Sequence, residues 1–166
     1  LQIQYKNSKS CDMKTYQTII NYKTAALFEL AAQVIGLFVS PDQFNELSKY
    51  GDQLGHLFQI IDDYLDYFAG QQNLGKPVGG DFKERKKTYP LLIAAQRYPE
   101  ILDMFDNTKG EFETFMEVFS PFQGEIFSQI ELQAQRFKQE LVHSKIGLSQ
   151  QQVFAQMIDG LLAKAS

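Results

Sequence analysis

The apolar positions of this chain recur at helical spacing from end to end, and no segment shows the strict alternation of a strand. Between Thr15 and Phe38 they fall at Tyr16, Ile20, Leu27, Ala31, Val34 and Phe38, which predicts a helix with that stripe buried and Gly36 near its end. Lys23 sits on the same stripe with Thr24 beside it. Taken alone, such a lysine packs its stem at the core edge and sends its ammonium to water. Ser40-Pro41 predicts the next helix start, with the hydroxyl as N-cap and the proline at the first helical position. Phe44, Leu47, Tyr50, Leu54, Leu57, Phe58, Ile61, Leu65 and Phe68 then mark one long helix. Its other face reads Asp52, Gly55, Gln59, Asp62, Asp63, Asp66.

A loop is predicted from Gly70 to Gly80, broken by Gly75, Pro77, Gly79 and Gly80. The charge run from Lys83 to Lys87 is expected to be solvated surface. Thr88 to Arg97 reads as a helix with Pro90 in its first turn, and a short stretch follows that ends near Phe105. Asn107 to Gly110 breaks the pattern. Three amphipathic helices complete the chain. One spans roughly Glu111 to Phe119 (Phe112, Phe115, Met116, Phe119), and the next roughly Glu125 to His143 (Phe127, Ile130, Ala134, Phe137, Leu141). The last follows Ser149 as N-cap and carries Val153, Met157, Leu161 and Leu162. The fold class is all-α, with residues 1–166 in one domain.

Composition narrows the partners. A chain of 166 residues with 44% hydrophobic content has material for a core, and a net charge of −4 argues against non-specific nucleic-acid binding. The single cysteine, Cys11, excludes an internal disulfide and fits the cytoplasm. No apolar run is read as reaching the roughly 18 residues of a membrane span, and no signal-peptide pattern opens the chain. His56 and His143 are isolated, and no nucleotide-binding or nucleophile-elbow motif is present.

The chemistry lies with the aspartates. Asp62, Asp63 and Asp66 fall on adjacent turns among Phe58, Ile60, Ile61, Tyr64, Leu65, Tyr67 and Phe68. Carboxylates in apolar surroundings need compensation, and like charges three and four residues apart repel. Oxygen-only ligands few in number suit Mg²⁺, which shares itself with substrate phosphates. Lys76 and Lys86, further on, suit an anion. From the residues alone, a metal site and a solvated acidic face both stand.

Four ordered blocks carry a resemblance. They are Phe58-Gln59 before Asp62-Asp63-x-x-Asp66; Gly75-Lys76-Pro77-Val78-Gly79-Gly80-Asp81; Lys86-x-Thr88-x-Pro90-Leu91; and, upstream, Tyr16 through Lys23-Thr24-Ala25 to Leu27-Phe28. Together they resemble the trans-isoprenyl (polyprenyl) diphosphate synthases at the second aspartate-rich motif and the segments around it. The resemblance implies the C-terminal part of the isoprenoid-synthase helical bundle and a Mg²⁺-dependent prenyltransferase. Such an enzyme condenses an allylic diphosphate with isopentenyl diphosphate. It implies that Asp62, Asp63 and Asp66 hold Mg²⁺, and that Lys23, Lys76 and Lys86 contact diphosphate. It further implies that Thr24 and Gln59 line the allylic pocket and that Asp81 supports Lys76. On this reading Lys23 faces ligand rather than bulk water.

Two departures accompany it. Arg85 stands where the family usually has glycine, which would alter the turn or add a cation near the site. The first aspartate-rich motif and the basic residues for isopentenyl diphosphate are not found in the sequence, and Leu1 is not an initiator methionine. The expectation is therefore a C-terminal half, inactive alone, whose partner is a missing N-terminal half or a complementary chain, and which forms a homodimer at full length. The alternatives are a non-catalytic or regulatory subunit of a prenyl synthase and, less well matched, a terpene cyclase.

Overall fold

A computed structural model describes residues 12–69, 78–108 and 111–166. Among these, secondary structure is entirely helical. Helix α1 (Met13–Ile20) passes through a π-helical segment (Asn21–Ala25) into α2 (Ala26–Val39). A 3₁₀ turn (Pro41–Gln43) leads into α3 (Phe44–Phe68). Then follow α4 (Gly80–Lys83), α5 (Tyr89–Arg97), α6 (Glu100–Asn107), α7 (Phe112–Phe119), α8 (Gln123–Val142) and α9 (Leu148–Ala165).

The described residues cluster into two units, one within Leu1–Ile19 and Asp62–Gln129, the other Ile20–Ile61 with Ile130–Ser166. The first is built on aromatic rings. Tyr67, Phe68, Phe82, Phe105, Phe112, Phe115 and Phe119 form one connected set, with centroids 5.0 Å apart for Tyr67–Phe119 and for Phe115–Phe119 and 5.1 Å for Phe82–Phe115. Such pairs add about 0.5–1.5 kcal/mol each beyond the area they bury. The phenylalanine-rich composition, silent at the level of sequence, is explained by this core.

In the second unit α2 and α3 meet through small residues. A side chain on Gly51 would lie 2.6 Å from the Ala32 methyl, and one on Gly55 would lie 2.6 Å from the Ala25 Cα. On α8, Ile130, Ala134, Phe137 and Leu141 are buried, as their spacing predicts.

Several expectations are corrected. On the stripe predicted for residues 15–38 only Tyr16 and Ile20 are buried; Leu27, Ala31, Val34 and Phe38 are exposed, and Ala25, Ala32 and Gly36 face inward. The π segment is the reason, because its extra residue rotates everything after it by about one helical position. Ser40 does not cap a helix with its hydroxyl, which accepts from the Gln150 amide at 3.3 Å. Helix α9 starts after Gly147 rather than at Ser149, and buries Phe154 and Ile158 while Val153 and Met157 stay exposed. The run 83–87 is not uniformly solvated, since Lys87 is buried against Asp106 at 2.8 Å. Finally, α1, the π segment and α2 join into one helix, Met13–Val39, long and apolar enough to cross a membrane, with a mean hydropathy of 1.3. The same length and composition describe a bundle helix, and the inward Ala25, Ala32 and Gly36 pack as one does.

Candidate functional site

The last turns of α3 place the three aspartates in three different settings. Asp62 is exposed. Asp63 is 5% exposed, and its Oδ2 accepts a hydrogen bond of 2.7 Å from the Tyr16 hydroxyl. Burial, then the Asp63 carboxylate, pushes the Tyr16 hydroxyl well above its usual range, so at neutral pH it is a fixed donor. Asp66 is half-buried and binds backbone: its Oδ1 accepts from the Gly80 N–H at 3.2 Å and its Oδ2 from the Asp81 N–H at 2.7 Å. The Gly79 N–H adds a 2.7 Å bond to the Asp66 carbonyl. Gly79 has φ +81°, a left-handed conformation that favours glycine. A side chain on Gly80 would lie 3.1 Å from Oδ1 of Asp66.

This grip fixes the start of α4 and with it Asp81, whose Oδ1 receives the Lys86 ammonium at 3.3 Å. Glu84 receives the same ammonium at 3.0 Å. Burial opposes the charge on Lys86, but the Glu84 hydrogen bond and the Asp81 carboxylate outweigh it and hold the pKa above its ordinary value. Lys86 is therefore a permanent cation on a braced stem. Asp81 was expected beside Lys76; within the described residues it braces Lys86, and Lys76 lies outside them.

In the second unit Thr24 falls within the π segment, and its hydroxyl donates to the Gln59 amide oxygen at 2.6 Å. Gln59 is 4% exposed, so its amide is oriented inside the protein. Lys23, in the same segment, is exposed. Single π turns inside α-helices recur at functional positions. Sequence spacing did not locate this one, because it carries no residue signature of its own.

Among the described residues no three His, Cys, Asp or Glu side chains gather so as to hold a metal by themselves. The donor set still fits Mg²⁺, which takes one or two carboxylates and completes its shell with phosphate oxygens and water. Asp62 faces solvent, and each Asp66 oxygen keeps a lone pair beyond the one that accepts from the Gly80 or Asp81 amide. Asp63, held by Tyr16, has one oxygen already engaged. Tyr16 entered the sequence reading as an apolar position and as the start of the upstream block, with no role of its own; the available signal was that a buried tyrosine hydroxyl needs a partner.

A family model for polyprenyl synthetases matches residues 1–119. The octaprenyl diphosphate synthase of Escherichia coli (strain K12) is 45% identical over 96 residues, which are 57% of this chain and 30% of that protein. Heptaprenyl diphosphate synthase from Staphylococcus aureus superposes with a TM-score of 0.83 at 21% identity over 99% of this chain and 54% of the other, a likeness of fold. Polyprenyl synthase from Caulobacter crescentus CB15, complexed with calcium and isoprenyl diphosphate, superposes with a TM-score of 0.76 at 25% identity, again over 99% and 54%. The chain thus spans about half the length of these solved structures. With most of its residues under the family model and its helices arranged as in solved members, the chain belongs to the polyprenyl synthetase family.

Proposed function

We propose that this chain supplies the allylic-diphosphate side of a Mg²⁺-dependent trans-prenyltransferase, which joins an allylic diphosphate to isopentenyl diphosphate and yields a longer trans-polyprenyl diphosphate. The observation that carries the reading is the Asp66 grip on the Gly80 and Asp81 amides, because it ties the aspartate motif to the segment that bears Lys86. Calcium and isoprenyl diphosphate in the Caulobacter relative support a divalent cation and a diphosphate ligand.

On this reading Asp62 is the leading metal ligand, with Asp63 and Asp66 contributing carboxylate charge, and Lys23, Lys76 and Lys86 take the diphosphate. Bound Mg²⁺ would neutralise charge on the departing pyrophosphate. The allylic C–O bond breaks and its electron pair leaves with that group. Lys86, braced by Asp81 and Glu84, stabilises the same charge from a fixed position. Thr24 and Gln59 offer oxygens to the allylic cation. The alkene electrons of isopentenyl diphosphate then form the new C–C bond, and loss of a proton restores a double bond. A homodimer would cover the apolar side chains that α2 exposes, Leu27, Leu30, Ile35 and Phe38 among them. A cytoplasmic setting is supported by the single cysteine.

Calorimetric titration with an allylic diphosphate tests the binding half. Binding should require Mg²⁺ and weaken at least about tenfold, or roughly 1.4 kcal/mol, in Asp62→Ala. Equal binding with and without Mg²⁺ would overturn the reading. Incorporation of labelled isopentenyl diphosphate, with and without upstream-encoded sequence and with Asp62→Ala as control, tests the condensation.

A further inference from the structure

Helix α4 ends in a Schellman motif. The Lys86 N–H bonds the Asp81 carbonyl at 2.9 Å and the Arg85 N–H bonds the Phe82 carbonyl at 3.0 Å. Those are the two reversed bonds of that motif, and they place Arg85 at the position glycine normally takes. Arg85 has φ +56° and is the one non-glycine residue with positive φ among the described residues. A side chain in that conformation is strained, and it persists where its surroundings hold it.

The surroundings are specific. The guanidinium donates to the Phe105 carbonyl in the last turn of α6 and to the Thr108 carbonyl just beyond it. A cation at a helix C-terminus also meets the negative end of its dipole. The guanidinium carbon lies 5.0 Å from the Phe82 ring centroid and 5.7 Å from that of Phe105. Its donors are thus directed at α6, and the residue immediately following it is Lys86.

We propose that Arg85 is a positioning residue: its bonds to the end of α6 hold the left-handed turn that sets Lys86 on Asp81, and it does not itself contact the diphosphate. This deepens, and rests on, the reading of Lys86 as a diphosphate-contacting cation. The side chain does through its clamp what a glycine does by having none. The two roles open to Arg85 therefore predict opposite rescues. A turn holder is replaced by glycine, which adopts the conformation without strain. A ligand cation is replaced by lysine, which keeps the charge but lacks the planar fork that spans two carbonyls.

The test compares Arg85→Gly, Arg85→Lys and Arg85→Ala by two measurements. The first is hydrogen exchange at the Lys86 amide without ligand, and the second is calorimetric affinity for inorganic pyrophosphate with Mg²⁺. Protection of the Lys86 amide should fall about tenfold or more in Arg85→Ala, fall nearly as far in Arg85→Lys, and stay within about threefold of the parent in Arg85→Gly. Pyrophosphate affinity should follow the same order. Retained affinity in Arg85→Lys with a tenfold loss in Arg85→Gly would make Arg85 a ligand and overturn the proposal. Unchanged protection in all three would overturn it as well. If the parent chain fails to bind pyrophosphate with Mg²⁺, the diphosphate reading falls, while the exchange measurement still judges the clamp.

Discussion

Tyr16 shows how one side chain acquires a role that its neighbours in sequence do not announce. Its ring is buried beside Tyr89, at a centroid distance of 6.2 Å, and its hydroxyl meets Asp63, 47 residues away. Replacing it with phenylalanine leaves a buried carboxylate oxygen without its donor, which costs about 1–3 kcal/mol. Urea denaturation of Tyr16→Phe should show that loss, whereas Tyr22→Phe, at a position 70% exposed, should stay within about 0.5 kcal/mol of the parent. The aspartates themselves were legible, because carboxylates among aromatic residues stand out in any reading of the chain. Their division among solvent, a tyrosine and a backbone turn was not, because it depends on partners that only folding brings near. Lys87 makes the same point: a solvated run by local pattern, it is buried against Asp106 in the fold.

At the level of elements, apolar spacing anticipated the longer described helices but neither the π segment nor α4, which lies where a loop and a charge run were expected, and α8 turned its predicted Ile130, Ala134, Phe137 and Leu141 inward. Helix α2 did not, since the π segment shifts phase without changing composition. The seam that the π segment and α2 make with α3 also escaped a reading that looks for large apolar residues, because Ala25 and Ala32 meet Gly55 and Gly51 there. Gly55→Ala would gain about 1 kcal/mol of helix propensity but drive a methyl to 2.6 Å from the Ala25 Cα. Overpacking of that kind costs about 1–3 kcal/mol, so a net loss of stability is expected in thermal melts. Gly160→Ala, where nothing lies within 4 Å, should raise the melting temperature instead, by the propensity gain alone.

Across the whole molecule, the aromatic core of the first unit sets the largest single-site costs. Phe115 is 1% exposed and stacks on Phe82 and Phe119; its replacement by alanine should cost about 3–5 kcal/mol in equilibrium unfolding. The same core fixes the alkaline limit. Burial, then nearby carboxylates, raises the hydroxyls of Tyr16 and Tyr67 well above their usual range. The folded state therefore keeps protons that the unfolded chain releases near pH 10, and stability is full below that pH and declines as pH rises beyond it. Unfolding midpoints measured from pH 8 to 11 should be flat at first and then fall, with Tyr67→Phe softening the fall. The placement of the rings also makes them a built-in optical label. The chain has no tryptophan, and Tyr16, Tyr64, Tyr67, Tyr89 and Tyr98 all belong to the unit that carries the aspartates, whereas the other holds Tyr22 and Tyr50. Near-ultraviolet dichroism thus reports mainly on one unit and helical ellipticity on both. A tyrosine signal that vanishes while ellipticity persists would time the loss of the aspartate-bearing unit ahead of its neighbour.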